Sequence, residues 1–379
     1  MERLYFDYNA TAPLSPSVLA WLRQGDLPFA NPASSHYSGQ NSRNVIEETS
    51  DYLKKTFNIL DHDIFFHSGA SEGVNTIIRG WAQKNPNGHF FCSTIDHSSI
   101  VNLAEYLKPF GVSTHFFKVD KNGDFDLENL ISQIKSLNGA PCLLNYTYVN
   151  NVIGVVWDLK WAEKIKNETN CKIHVDSVQV PGKIKNWNFL NNQLDAYTFS
   201  GHKFGAFKGV GFSFFKPGFE FSPLLSGGGQ QGGLRSGTEN PMGIYTLKLA
   251  LEDLIHGFNF EKILEAKKYI ENSLTEILGN KGEIVANNAK MRNLNTIYFI
   301  QKMIHPEILK MKFDLGGMDV GLGSACSSGS PLPDRIILAL GYDNESAKSG
   351  IRLSFEPSLE LETAKVYLEK IKSVFNKTS

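Results

Sequence analysis

Residues 63–110 read DIFFHSGASEGVNTIIRGWAQKNPNGHFFCSTIDHSSIVNLAEYLKPF. The stretch opens on a short apolar run that ends in the polar turn HSGAS. The following EGVNTIIRGWAQK sets Val74, Ile77, Ile78 and Trp81 on one face at helical spacing. A second apolar run, HFFCST, leads into a second helical period in SSIVNLAEYLKPF. Short strand, amphipathic helix and short strand in alternation predict an α/β sheet. Further strand-like runs occur at PCLLNYTYV (141–149), CKIHVDSV (171–178), DAYTFS (195–200) and GVGFSFF (209–215). Most end in a polar or glycine-bearing turn, which is where binding loops gather on such sheets.

After Pro241 the pattern changes to long helical stretches, MGIYTLKLALEDLI and FEKILEAKKYIENSLTEIL. These precede strand-like NLNTIYFI, a short helix near PEILKMKF, a glycine-rich loop and a final helix LETAKVYLEKIKSVF. The expected organisation is a large α/β domain with a mainly parallel sheet over residues 15–255. A smaller α+β domain takes residues 1–14 and 256–379, with the boundary at HGFNF. The 379 residues suit one large or two ordinary domains. With 38 basic against 39 acidic residues and no long block of one sign, no electrostatic footprint for nucleic acid or an anionic membrane is present. The expected partner is a small molecule. Cys92, Cys142, Cys171 and Cys326 are far apart, with neither a C-x-x-C pair nor metal-ligand spacing, which argues against a disulfide framework and a zinc site. MERLYFDYNATAPLSPS lacks the apolar run of a signal peptide. A reducing, cytoplasmic location is the expectation.

Four places could carry chemistry. At Ser68, Gly69, Ala70 and Ser71 a strand turns into a helix whose first turn carries Glu72. Free amides and the positive helix end there suit a phosphate, although Ser71 could equally serve as a helix cap. Asp176 and Lys203 stand at or just beyond the ends of two strands. A lysine made less basic by burial can bond an aldehyde, and an aspartate can hold a protonated pyridine nitrogen, which together are what pyridoxal phosphate requires. A loop-capping Asp176 and a solvated Lys203 are the plainer alternative. A metal set of His97, His174, Asp176 and His202 lacks compact ligand grouping, and no metal is expected. Cys326 sits in the polar loop VGLGSACSSGSPLP, whereas Cys92 and Cys142 sit in apolar strands. A polar loop suits a thiol that must react. Arg352, between Ile351 and Leu353 on a predicted strand, is either solvated surface or a clamp for an α-carboxylate.

Taken together, DYNATAP, HSGASEGVN, DHSSI, VNNVIGVV, HVDSVQ, SGHKFGAFKGVG, GGGQQGGLRSGTEN, GSACSSGS and IRLSF, in that order along nearly the whole chain, closely resemble the cysteine desulfurases. These are pyridoxal 5′-phosphate enzymes of aminotransferase fold type I. SGHK with its following KG-x-G, RSGTEN and GSACSSGS are the specific segments. The resemblance implies that Lys203 is the Schiff-base lysine and Asp176 the partner of the pyridine nitrogen. Gln179 and Asn151 would contact the ring's phenolic oxygen, and His97 would stack on the ring and assist proton transfer. Ala70, Ser71, Ser200 and His202 match phosphate-binding positions. Thr238 matches a residue that reaches the phosphate of the neighbouring subunit, so a homodimer is implied. Cys326 would accept sulfur from L-cysteine as a persulfide, with L-alanine released, and Arg352, with Asn151, would bind the substrate. The persulfide would pass to a sulfur acceptor such as an iron–sulfur scaffold or a tRNA-thiolation protein. A selenocysteine lyase of the same fold and a non-catalytic partner in iron–sulfur assembly are the alternatives. Three segments depart from the family's usual pattern: Val152 stands where a glutamate is usual, Ala206 and Phe207 alter the run after the lysine, and Val180-Pro181-Gly182 follows Gln179.

Overall fold

The structure is a computed structural model that describes residues 3–322 and 332–376. Cys326 and its GSACSSGS segment lie outside the described residues. The chain runs β1 (Leu4–Phe6), α1 (Pro16–Gln24), α2 (Tyr37–Thr56), β2 (Asp63–His67), α3 (Ala70–Lys84), β3 (His89–Ser93), α4 (Ser98–Val101), α5 (Leu103–Leu107), β4 (Ser113–Phe117), α6 (Leu127–Lys135), β5 (Cys142–Thr147), α7 (Leu159–Thr169), β6 (Lys172–Asp176), β7 (Ala196–Ser200) and β8 (Gly211–Phe215). It continues with α8 (Pro241–Gly257), α9 (Phe260–Leu278), β9 (Gly282–Ile284), β10 (Thr296–Gln301), α10 (Pro306–Leu315), β11 (Met318–Val320), α11 (Arg335–Ala339), α12 (Asn344–Lys348), β12 (Gly350–Ser354) and α13 (Leu361–Asn376).

Seven strands form the main sheet in the order β2-β8-β7-β6-β5-β3-β4. Strand β8 is antiparallel to β2 and β7, and the other pairings are parallel. A parallel sheet covered on both faces needs apolar residues on both sides of each strand, and β5, β7 and β8 are buried at every position. Helix α3 packs the stripe expected of it, with Val74, Ile77, Ile78 and Trp81 buried. The segment SSIVNLAEYLKPF departs from a single helix. It breaks at Asn102 into α4, α5 and a 3₁₀ turn closed by Gly111 in the left-handed conformation.

A second, antiparallel sheet has the order β12-β10-β9, and β1 pairs in parallel with β11. Phe6 therefore shares a core with Ile270, Phe299, Phe313, Leu353 and Ile371, so the amino terminus is held by elements more than 250 residues away. Asp7 bridges onward to Ser354, which carries the DYNATAP segment to the edge of the main sheet.

The three departures from the family pattern fall in packed positions. Val152 is fully buried in the core around the main sheet, as is Val180, and Ala206 is 1% exposed. Gly182 has φ +70°, and a Cβ there would meet Leu254 Cδ2 at 2.8 Å, so this turn needs a residue without a side chain.

Candidate active site

The parallel strands end along one edge of the main sheet, and a cleft of about 660 Å³ opens there. That volume is within the range of small-ligand sites, about 300–1,000 Å³. Its lining gathers residues from six separated segments, among them Ala10, Ser71, His97, Asn151, Asp176 and Lys203. Ala70, Gln179, Ser200 and His202 line it too. Most of the residues singled out in the sequence therefore share one cavity.

At one end lies the start of α3. No side chain caps it, so Ser71 is not the N-cap. Glu72 and Gly73 donate their amides back to the Gly69 carbonyl, while the first amides of the turn have no intrahelical partner. Ser200 ends β7 with its side chain facing the Gly69 turn. The Glu72 carboxylate is turned to the side, accepting from the Ser68 amide at 2.8 Å and pairing with Arg235 at 2.8 Å. Free amides, a hydroxyl and the helix dipole are the donor set a phosphate needs.

Asp176 ends β6, is 9% exposed and accepts the Val178 amide at 3.1 Å. Burial raises its pKa, opposed by the Val178 amide, His97 and Lys203. Lys203 follows β7 in a 3₁₀ turn, half-buried, so it is not a solvated surface lysine. Its Nζ donates to the carbonyls of Asn9 and Ala10, both at 2.8 Å. Burial, reinforced by Arg352, lowers its pKa to about 8. His97 caps α4: its Nδ1 accepts the Ser99 amide at 3.1 Å. That bond assigns the ring proton to Nε2, and desolvation lowers the ring's pKa. His202 bonds Thr11 Oγ1 through Nδ1 at 3.1 Å, and burial brings it to about 4. Both rings are neutral at neutral pH.

A buried carboxylate, an amine of lowered basicity and an uncapped helix end in one cleft fit pyridoxal phosphate. The metal alternative is not assembled. His174 is fully buried between Asn145 and Thr198, at 2.8 Å to each, and among the described residues no group of three or more metal-ligating side chains occurs.

Arg352 is 5% exposed, so the solvated-surface reading does not hold. It lies behind the cleft wall, donating to Asp7 Oδ1 at 2.6 Å and to the Asn151 carbonyl at 3.1 Å, with Nε unpartnered. Thr238 is exposed and does not line the cleft of its own chain. Asn150 is buried and braces its turn, accepting the amides of Val152 and Ile153 at 2.9 and 3.0 Å.

Several residues that shape the site escaped the sequence reading. Asn9 lies at the hub: its amide nitrogen donates to the Asn151 carbonyl, its carbonyl accepts from Gln179 and Lys203, and its Oδ1 accepts from Lys183. The DYNATAP segment was its signal. Lys183, 3% exposed, also donates to Gln179 Oε1. Asp96 is fully buried under the cleft, accepting from the Ser93 amide, Asn145 and the cleft-lining Thr147. The DHSSI segment, which opens on Asp96, is its signal.

The chain matches the family described as Aminotransferase class-V over residues 4–364. A cysteine desulfurase IscS of Dictyoglomus turgidum is 30% identical over 359 residues, covering 93% of this chain and 89% of the relative. Cysteine desulfurase IscS 1 of Archaeoglobus fulgidus is 30% identical over 353 residues, 92% of this chain and 91% of that one. The structure of a NifS-like protein from Rickettsia africae superposes with a TM-score of 0.84 at 28% identity, over 99% of this chain and 100% of that chain. With family match, full-length relatives and superposed fold in agreement, the chain belongs to the cysteine desulfurase family of class-V aminotransferases.

Proposed function

We propose that the protein is a pyridoxal 5′-phosphate-dependent cysteine desulfurase. The carrying observation is the Lys203 amine and the Asp176 carboxylate opening into one cleft beneath an uncapped helix start. When bound, the cofactor supplies an aldehyde that condenses with amines and a ring that withdraws electron density.

The chain's residues have separable tasks. The amides opening α3, with Ser71, Ser200 and His202, would hold the phosphate. Asp176, buried at the end of β6, would hold the ring nitrogen in its protonated form by offering a negative charge where water is excluded. Gln179 and Asn151, which line the same cleft, would contact the ring's phenolic oxygen. Lys203 is the amine that would bond the cofactor's aldehyde. Its lowered basicity then lets Nζ accept the α-proton near neutral pH and return it. His97, neutral with its proton on Nε2, would assist proton transfer at the cofactor.

Arg352 takes the substrate carboxylate, its guanidinium exchanging Asp7 for the substrate, with Asn151 beside it. Cys326 attacks the substrate sulfur as thiolate: the carbon–sulfur bond breaks, a sulfur–sulfur bond forms, and the carbon skeleton is protonated to L-alanine. The balance is L-cysteine and a thiol going to L-alanine and a persulfide, with no outside oxidant. A homodimer with Thr238 reaching the partner's phosphate, and onward transfer to a protein sulfur acceptor in the cytoplasm, complete the reading. Among the described residues no helix is long and apolar enough to cross a membrane.

The test is borohydride reduction of the cofactor-loaded protein, peptide mapping and an alanine assay. A pyridoxyl label on Lys203, with cysteine-dependent alanine lost in Lys203→Ala, is expected. A label on another lysine, or no alanine from cysteine, refutes the proposal.

A further inference from the structure

Cys142 opens β5, and Cys171 directly precedes β6. Leu143 pairs with Lys172 in parallel register, so the residues one step earlier on each strand stand side by side on the same face. Their Sγ atoms are in contact at 2.8 Å. Both are free thiols, Cys142 7% and Cys171 1% exposed. Neighbouring strands lie about 4.7–4.9 Å apart, inside the roughly 4.4–6.8 Å between Cα atoms that a disulfide spans. The spacing of the two strands is therefore compatible with a disulfide between them. The pair sits at the amino-terminal edge of the parallel strands, away from the cleft at their carboxyl ends.

The two thiols differ in access. Cys142 lines a separate cavity of about 340 Å³ whose walls include Lys84, Lys172 and Glu220, which opens this side of the pair to a small oxidant. Cys171 does not line that cavity, and burial pushes its thiol well above the usual range.

We propose that Cys142 and Cys171 are a modification site, a buried dithiol that a peroxide converts to a reversible cross-strand disulfide. Cys142 reacts first. Its thiolate attacks one peroxide oxygen, the O–O bond breaks, and the sulfur becomes a sulfenic acid while the released hydroxide takes a proton to leave as water. The Cys171 thiol then attacks the oxidised sulfur: the S–O bond breaks, the S–S bond forms, and the displaced hydroxyl leaves as water with the thiol's proton. Two thiols lose two electrons, one peroxide becomes two waters, and a dithiol reductant reverses the change. The bond closes a loop around α7 that contains Thr147, Val149 and Asn151 of the cleft wall, without touching Lys203 or Asp176.

The cofactor-loaded protein is treated with hydrogen peroxide, alkylated and digested with trypsin without reductant. Expected is a linked pair of peptides, 136–160 with 167–172, two hydrogens lighter than their sum and separated by dithiothreitol. The pair is absent from Cys142→Ser and Cys171→Ser, and peroxide raises the melting temperature of the wild type but of neither variant. Full alkylation of Cys142 and Cys171 at a peroxide dose that oxidises the Cys326 peptide overturns the proposal, as does a link from either residue to Cys92 or Cys326. The wild-type map decides the matter even where a variant fails to fold.

Discussion

The Lys203 amine is the group whose chemistry depends most on its surroundings, and its basicity can be measured directly. An unperturbed lysine near 10.5 is neutral at pH 7 in about three molecules per ten thousand. At a pKa of about 8, roughly one molecule in eleven is neutral at the same pH, a gain of about 300-fold in reactive amine. The sign follows from the cause: leaving water disfavours the ammonium form, and the Arg352 charge adds to that. The assay mixes apo-protein with excess pyridoxal phosphate and follows the initial rate of the visible absorbance change from about pH 6 to 11, with Lys203→Ala subtracting the surface lysines. The rate is expected to rise with pH to a plateau with its midpoint near 8. Arg352→Gln removes the largest charge that lowers the amine's basicity, so its midpoint is expected to move upward. A wild-type midpoint above 10, or a downward move in Arg352→Gln, would refute the reasoning.

Four further outcomes follow from the geometry. Asp176→Asn is expected to retain cofactor and lose activity by about 10²–10³-fold, the loss typical of a preorganised electrostatic group, so near-normal alanine formation would contradict its role. Cys326→Ser is expected to load cofactor and to change its visible spectrum with cysteine, yet to form no persulfide by mass spectrometry. Undiminished sulfide release from that variant would point to a lyase that needs no enzyme thiol. Mixed Thr238→Ala and Lys203→Ala chains are expected to regain activity in heterodimers, because one site then carries both lesions and the other neither; isolated heterodimers without activity would place each site within one chain. Gly182→Ala forces a side chain into a left-handed turn 2.8 Å from Leu254 and is expected to cost about 1–3 kcal/mol in urea unfolding. An unchanged unfolding midpoint would show that the turn relaxes.

The strands and helices of the main sheet were legible because their signals are local. DIFFH, HFFCS and KIHVD are apolar runs bounded by turns, and α3 carries its buried stripe within fifteen residues. Asp176 and Lys203 were legible for a similar reason: each stands where a strand gives way to a loop, and each lies in a short motif. Asn102 shows the limit, since SSIVNLAEYLKPF has helical periodicity throughout but turns through a break, where packing of Ile100, Leu103 and Leu107 overrides a weak local preference.

What the chain's local pattern settles on its own is the element type, the family and the candidate site residues, because periodicity and short motifs act over a few bonds. Contacts between distant segments are decided only when the sheet sets its strand order and register. Asn9 meets Lys203 across 194 positions, and Arg352 pairs with Asp7 across 345. Cys142 and Cys171 stand 29 positions apart, and nothing in the sequence between them signals their contact. One residue of slip in β5 or β6 would turn one of those thiols to the opposite face. The lowered basicity of Lys203 is tertiary for the same reason: it requires the strand ends, the amino-terminal segment and Arg352 to enclose one amine and exclude water from it.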